Sequence, residues 1–365
     1  MLAANSPLGN YLLRFFHLEI PVGIGRFKMY KTVEHWINDG LMSIFFLLAG
    51  LEIKRELLHG ELSSFKKASL PVLAALGGML VPALIFSLVN LGEYTIRGWA
   101  IPMATDIAFA IGVLAIAGKY VPRTLKVFLI ALAIVDDIGA ILVIAFFYSS
   151  TLAINYLLYA IVILAVMLLY NFLNIRYVSL YVINGIVLWY FIYMSGIHST
   201  IAGVLMAFTI PYKTNDGFKP LHKIEHAIIN PVNFVVLPLF ALVNTAIVLN
   251  LEMFSSFLTP LSIGIFLGLV AGKPIGILLF SYLGIKTGIS HLPHQVSWLQ
   301  MAGAGALAGI GFTMSIFIGL LSFNDLAHQT ISKIAVLAAS TASAFIGFYL
   351  LKYASEKQKT IAPRV

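Results

Sequence analysis

From residue 36 onward the chain is written as long apolar runs separated by short polar joins. Eleven runs are long enough to cross a bilayer as helices, near 36–53, 69–91, 98–118, 125–148, 151–173, 178–195, 196–211, 228–249, 260–283, 295–321 and 331–352. The run at 196–211 is short and opens at Gly196-Ile-His-Ser-Thr200. Residues 7–35 differ: Arg14, Arg26, Lys28 and Lys31 are interleaved with aromatics, and Ile20 to Met29 suits a small hairpin with Gly23 and Gly25 near its turn. The pattern predicts an all-α protein that crosses a lipid bilayer many times.

Composition strengthens that reading. Of 365 residues, 60% are hydrophobic and only 10% charged, and the mean hydropathy is +0.95. A soluble domain carries about 25% charged residues. With no cysteine, disulfide and thiolate chemistry are excluded. The first residues, Met1-Leu-Ala-Ala-Asn-Ser-Pro-Leu8, show no basic stretch followed by an apolar core, so no signal peptide is visible.

The net charge of +8 invites a nucleic-acid reading, but its distribution argues for membrane topology and no nucleic-acid partner. Lys54, Arg55, Lys66, Lys67, Lys119, Arg123, Lys126, Arg176, Lys213, Lys219, Lys223, Lys286, Lys352, Lys357, Lys359 and Arg364 all fall on one side of the eleven runs. Beyond residue 35 the other side holds only Arg97 and Lys333. The basic side is expected to be cytoplasmic, which puts the C-terminus inside. Eleven spans would leave the N-terminus outside with four basic residues that prefer the inside.

That orientation exposes a symmetry. The three runs covering 69–148 start inside, and the three covering 260–352 start outside, so the triplets are related by inverted topology. The middle run of each is interrupted, by Pro102-Met-Ala-Thr-Asp106 in the first and by Gly303, Gly305, Gly309 and Gly311 in the second. Matching interruptions in two halves point to a transporter's midplane site. Taken alone, the glycines could equally serve close helix packing.

Four ionisable residues lie at membrane depth: Asp106, Asp136, Asp137 and Lys273. The nearest charge before Asp136 is Lys126, and none follows Asp137 until Arg176. An acid at the bilayer centre costs roughly 2.5–3.5 kcal/mol, which makes function the default reading. Lys273, 13 residues from both Pro260 and Lys286, is too deep to reach either interface and needs a carboxylate partner. Successive helical residues point about 100° apart, so one of Asp136 and Asp137 can face an ion cavity while the other faces Lys273. A desolvated carboxylate beside hydroxyl and carbonyl oxygens would bind a small hard cation or a proton, in competition. Where two helices break, Asp106 can offset the positive helix ends and Lys273 the negative ones, with Thr105 supplying a hydroxyl.

Five motifs carry a resemblance: Phe45-Phe-Leu-Leu-Ala-Gly-Leu-Glu-Ile-Lys-Arg-Glu-Leu57, Ala104-Thr-Asp-Ile-Ala-Phe-Ala110, Ala131-Leu-Ala-Ile-Val-Asp-Asp-Ile-Gly-Ala140, Gly272-Lys-Pro-Ile-Gly276 and Gly309-Ile-Gly-Phe-Thr-Met-Ser315. In this order, from about residue 36 to 350, the chain resembles the NhaA-type sodium/proton antiporters, a family known for inverted repeats. The resemblance implies that Asp137 is the leading ligand for Na+ and Asp136 its partner. It further implies that Lys273 pairs with an aspartate and that Asp106 compensates the crossed broken helices. It implies electrogenic exchange of cytoplasmic Na+ or Li+ for more than one external H+, in a bacterial inner membrane, without a cofactor. A homodimer joined through an external hairpin, here residues 20–29, is implied as well. On this pattern 66–148 and 259–354 are core repeats, 1–65 and 149–258 form a panel and dimerisation region, and 355–365 is a cytoplasmic tail.

Family members have twelve spans, and Ala3-Ala-Asn-Ser6 looks like the tail of their first one. The reading frame is therefore expected to continue upstream of Met1 with an apolar span.

A second group of charges, Glu52, Arg55, Glu56, His222, Glu225 and His226, lies on the basic side. By resemblance Glu52, Glu56, Glu225 and His226 belong to a pH-responsive region, and histidine titrates in the relevant range. A solvated charge belt is the plain alternative. His222-Lys-Ile-Glu-His226 also fits an inverted zincin pattern, but as a polar loop entering a span at Pro231 it lacks an obvious third ligand. An aspartyl protease would need a Gly-x-Gly-Asp context that is missing. A cation channel is the more serious rival, although the inverted repeat favours alternating access over a continuous pore. The sequence therefore predicts a transporter, not an enzyme.

Overall fold

The computed structural model describes residues 3–7, 9–22, 28–149, 152–248 and 258–361. Contacts divide the chain into two compact units, Met1–Arg55 with Val143–Leu249, and Glu56–Leu142 with Asn250–Val365.

In the first unit a short helix α1, Gly9–Phe16, precedes the expected hairpin. Strand β1, Glu19–Val22, pairs antiparallel with β2, Met29–Thr32, in the register Glu19 to Thr32 and Val22 to Met29. The turn assigned to Gly23 and Gly25 lies outside the described residues. Trp36 Nε1 donates to Ile20 O at 3.0 Å, tying the hairpin to helix α2, Val33–His59. Thr32 caps that helix by accepting from His35 N.

The long helices arise because a chain in lipid must satisfy every backbone group internally. They are α3 (Phe65–Val89), α5 (Arg123–Phe147), α6 (Ile154–Phe172), α9 (Pro220–Asn244), α10 (Pro260–Lys286) and α13 (Leu326–Ile361), and two broken segments, Tyr94–Ile116 and Trp298–Ser322, lie among them. The helices α7 (Val178–Met194) and α8 (Ile201–Thr209) are shorter. Among the described residues seven helices are long and apolar enough to cross a membrane, or nine segments if each bent pair counts as one. Each of the eleven apolar runs holds a helix, and the two short ones are the runs at 178–195 and 196–211.

One local expectation changes. His222 to His226 is not a loop: Pro220, at the first helical position with no amide to leave unpaired, starts α9 before them. Pro231 is absorbed inside that helix ahead of a π-turn at Val232–Val236.

The second unit holds the two triplets, apart from the end of α5 beyond Leu142. Helices α3 and α10 meet backbone to backbone: a Cβ on Gly77 would lie 2.2 Å from Gly276 O, and one on Gly276 would lie 2.1 Å from Gly77 O. Only glycine permits that approach. Within α10 a π-turn, Gly268–Gly272, immediately precedes Lys273.

The middle member of each triplet is broken. In the first, 3-10 turns over Tyr94–Met103 are followed by α4, Ile107–Ile116, with a 46° bend. In the second, α11, Trp298–Ala308, and α12, Phe312–Ser322, also meet at 46°. Pro102 lies in the last turn before the first break. Gly309 and Gly311 sit in the second break, and a Cβ on Gly309 would come within 2.4 Å of Leu269 O. Gly303 and Gly305 lie inside α11, where they face Leu351 and Pro274.

Candidate ion site

The two breaks are joined directly. Asp106 N donates to Ile310 O at 2.7 Å, so a backbone amide freed by one break meets a carbonyl freed by the other. The Asp106 carboxylate serves two helix starts. Its Oδ1 accepts from Phe109 N at 3.1 Å, capping α4, and its Oδ2 accepts from Thr313 N at 3.0 Å and from Thr313 Oγ1, in the first turn of α12. The positive ends of α4 and α12 therefore both point at this one carboxyl group. It is 2% exposed.

Lys273 lies at the opposite end, where the 3-10 arm stops. Its ammonium donates to Met103 O, the last carbonyl of the 3-10 arm, and lies 2.6 Å from Asp136 Oδ2. Its stem runs over Gly78, where an added Cβ would touch Lys273 Cε at 3.8 Å. The partner of Lys273 is therefore Asp136, an assignment the residue spacing leaves open.

Thr105 Oγ1 lies 2.7 Å from the same Asp136 oxygen and 2.9 Å from Ala308 O. A hydroxyl has one proton, so Thr105 donates to one of these at a time. With Asp136 protonated it can accept from the acid and donate to Ala308 O. Asp136 Oδ1 is buried and has no hydrogen-bond partner among the described residues. Buried polar atoms are almost always paired, so this oxygen is a natural place for a proton or a cation. Asp137, next on α5, is also buried at 4% exposure. The structure thus gathers Thr105, Asp106, Asp136 and Lys273 around the crossing breaks, with Asp137 beside them on α5.

Three hydroxyls that the sequence does not single out complete the arrangement. Thr313 serves Asp106, Ser315 Oγ donates to Ile101 O at 2.7 Å, and Ser340 Oγ on α13 accepts from Phe312 N at 3.1 Å. Thr313 and Ser315 fall within a quoted motif, Gly309 to Ser315, and their position in the first turn after a glycine break is the signal for a capping role.

The second charge group is looser. Arg55 lies 3.3 Å from Glu225, and His222 lies 3.6 Å from the other Glu225 oxygen. Glu56 accepts from Glu61 N at 2.9 Å, just past its own helix. Glu52 is half-buried and His226 exposed. Among the described residues no three His, Asp or Glu side chains are grouped to hold a metal ion.

Residues 1–351 match the profile of a family described as Na+/H+ antiporter 1. The chain belongs to this family. It is 50% identical over 362 residues to the Na(+)/H(+) antiporter NhaA 2 of Flavobacterium johnsoniae, covering 98% of this chain and 88% of that one. It is 48% identical over 352 residues to the Na(+)/H(+) antiporter NhaA of Cytophaga hutchinsonii, with 96% and 89% covered. The NhaA of Pelagibacter ubique is 46% identical over 360 residues, with 98% and 92% covered. As a member of this antiporter family the chain is a multi-span membrane transporter rather than an enzyme.

Proposed function

We propose that this chain carries Na+, and Li+ in its place, out of the bacterial cytoplasm in exchange for H+, with the inner membrane as its site and the C-terminus inside. Asp137 is the leading cation ligand and Asp136 its partner. Lys273 neutralises Asp136 when the cation is absent, and Thr105 and Asp106 hold the crossing breaks. The observation that carries the reading is the buried Asp136–Lys273 pair, whose second carboxylate oxygen has no hydrogen-bond partner among the described residues.

Exchange follows from competition. A cation arriving at the two carboxylates displaces a proton or the lysine ammonium, and its departure lets protons return. Moving more than one H+ per Na+ makes the cycle electrogenic. Alternating access exposes the site to one face at a time, with 66–148 and 259–354 as inverted repeats. The broken span in each triplet, at matching 46° bends, supports that part. The remaining segments, 1–65 and 149–258, form the panel, and two copies join through the hairpin near residues 20–29. The Glu225 group, with Glu52, Glu56 and His226, adjusts activity to cytoplasmic pH.

The test against a channel is the reversal potential in proteoliposomes under opposed Na+ and H+ gradients. Coupled exchange reverses at a potential set by both gradients and the stoichiometry. A simple leak reverses at the Nernst potential of one ion.

A further inference from the structure

A groove of about 530 Å³ runs down the outside of the second unit, between α4, the second break and α13. Its floor is Ile310 and Phe312, and Phe109 stacks edge-on against Phe312 with ring centroids 4.6 Å apart. From Leu337 to Tyr349 the wall follows one stripe of α13.

The lining is effectively apolar. Its serine and threonine hydroxyls are already engaged: Ser340 accepts from Phe312 N, and Thr341 donates to Leu337 O at 2.8 Å. The rim is open, with Ile116 77%, Phe345 60% and Tyr349 60% exposed. In a membrane-spanning unit such a rim faces hydrocarbon, so neither water nor a polar solute is the occupant.

Length and charge narrow the choice. The stripe runs from Leu337 to Tyr349 on one helix, about 18 Å of rise, close to the depth of one leaflet's hydrocarbon, about 15 Å. One end lies at the break, and the stripe continues past Phe348 to the half-exposed Lys352. We propose that this groove binds one acyl chain of an anionic phospholipid, its headgroup phosphate at Lys352 and its tail end against Ile310 and Phe312. The tail would lie on the peptide units that tie the breaks together, since Ile310 O accepts from Asp106 N and Phe312 N donates to Ser340.

The test is photolabelling of the whole chain in phosphatidylethanolamine vesicles doped with phosphatidylglycerol that carries a diazirine in mid-chain. Adducts are mapped by mass spectrometry. The comparison face is α6, where Leu158, Ile161 and Phe172 are 54%, 52% and 82% exposed. Adducts on Phe109, Phe345 and Tyr349 should exceed those on α6 by about fivefold, the factor one lysine contributes beside an anionic headgroup. Excess unlabelled phosphatidylglycerol, or Ala344→Phe filling the groove, should reduce them to the α6 level. Lys352→Gln, at the helix surface, should remove the preference for phosphatidylglycerol over a phosphatidylcholine analogue. Equal labelling of both faces would mean ordinary surrounding lipid and overturn the proposal. So would unchanged labelling in Lys352→Gln, or a second copy of the chain cross-linked in the groove.

Discussion

Lys273 and Asp136 form an ion pair with no exposed side-chain surface, Nζ to Oδ2 at 2.6 Å. The lysine arrives from the second triplet and the aspartate from the first, so the pair joins the two halves at the point where their broken members cross. Removing one partner strands the other in a dry site, at a cost of about 3–5 kcal/mol. Lys273→Ala should therefore lower the melting temperature in detergent and impair exchange. Lys273→Gln combined with Asp136→Asn should recover the stability. A single variant that melts like wild type would show that the pair stabilises nothing.

Gly276 lies one helical turn beyond Lys273. Gly276→Ala would drive a methyl group into Gly77 O, 2.1 Å away, forcing α3 and α10 apart. Overpacking of this kind costs about 1–3 kcal/mol, and it also pulls Lys273 from Met103 O. The expected result is a lower melting temperature together with reduced exchange. Unchanged values for both would mean the two helices part without strain.

Thr313→Val removes a hydroxyl donor from the Asp106 carboxylate while keeping the side-chain shape. The expected loss is ~1–3 kcal/mol. Thr313→Ser should stay near wild type, because it keeps the hydroxyl. Equal melting of the valine and serine variants would remove the hydroxyl from the account.

The site was legible in the sequence where charge stands out against apolar surroundings. Asp106, Asp136, Asp137 and Lys273 could be named because membrane depth makes any charge conspicuous. Which aspartate meets Lys273 could not be read: a 100° offset separates the two acids without saying which way either points. Thr313, Ser315 and Ser340 stayed hidden because hydroxyls are common in membrane helices and only the crossing of the breaks gives them partners. Of the four glycines in the second interrupted run, two mark the break and two pack within α11, a division set by neighbours distant in sequence. The start of α9 is hidden in the sequence because polar His222 to His226 resembles a loop unless Pro220 is recognised as a helix start.

Asp325 stands just before α13 and accepts from His328 N at 2.9 Å, with His328 Nδ1 2.7 Å away. The backbone hydrogen bond from His328, more than the His328 side chain, holds its pKa below the ordinary carboxylate value. A carboxylate lowered in this way stabilises the fold fully above its unfolded pKa, about 3.9, and loses that contribution as pH falls through the folded value. Asp325→Ala should thus cost less than ~1 kcal/mol at pH 7, since solvent screens so exposed a carboxylate, and progressively less below pH ~4. Melting curves of both proteins at pH 7 and pH 3 would check the convergence.

On the proposed function, a cation and protons compete for the carboxylates on α5, with Asp137 the leading ligand. The direct measurement is Na+-induced dequenching of a preformed proton gradient in everted vesicles, across pH, for wild type and Asp137→Asn at equal membrane abundance. An amide cannot exchange a proton for Na+, so the variant is expected to give no dequenching at any pH while remaining inserted and folded. Sustained dequenching by Asp137→Asn at saturating Na+, with a pH profile like that of wild type, would contradict the account.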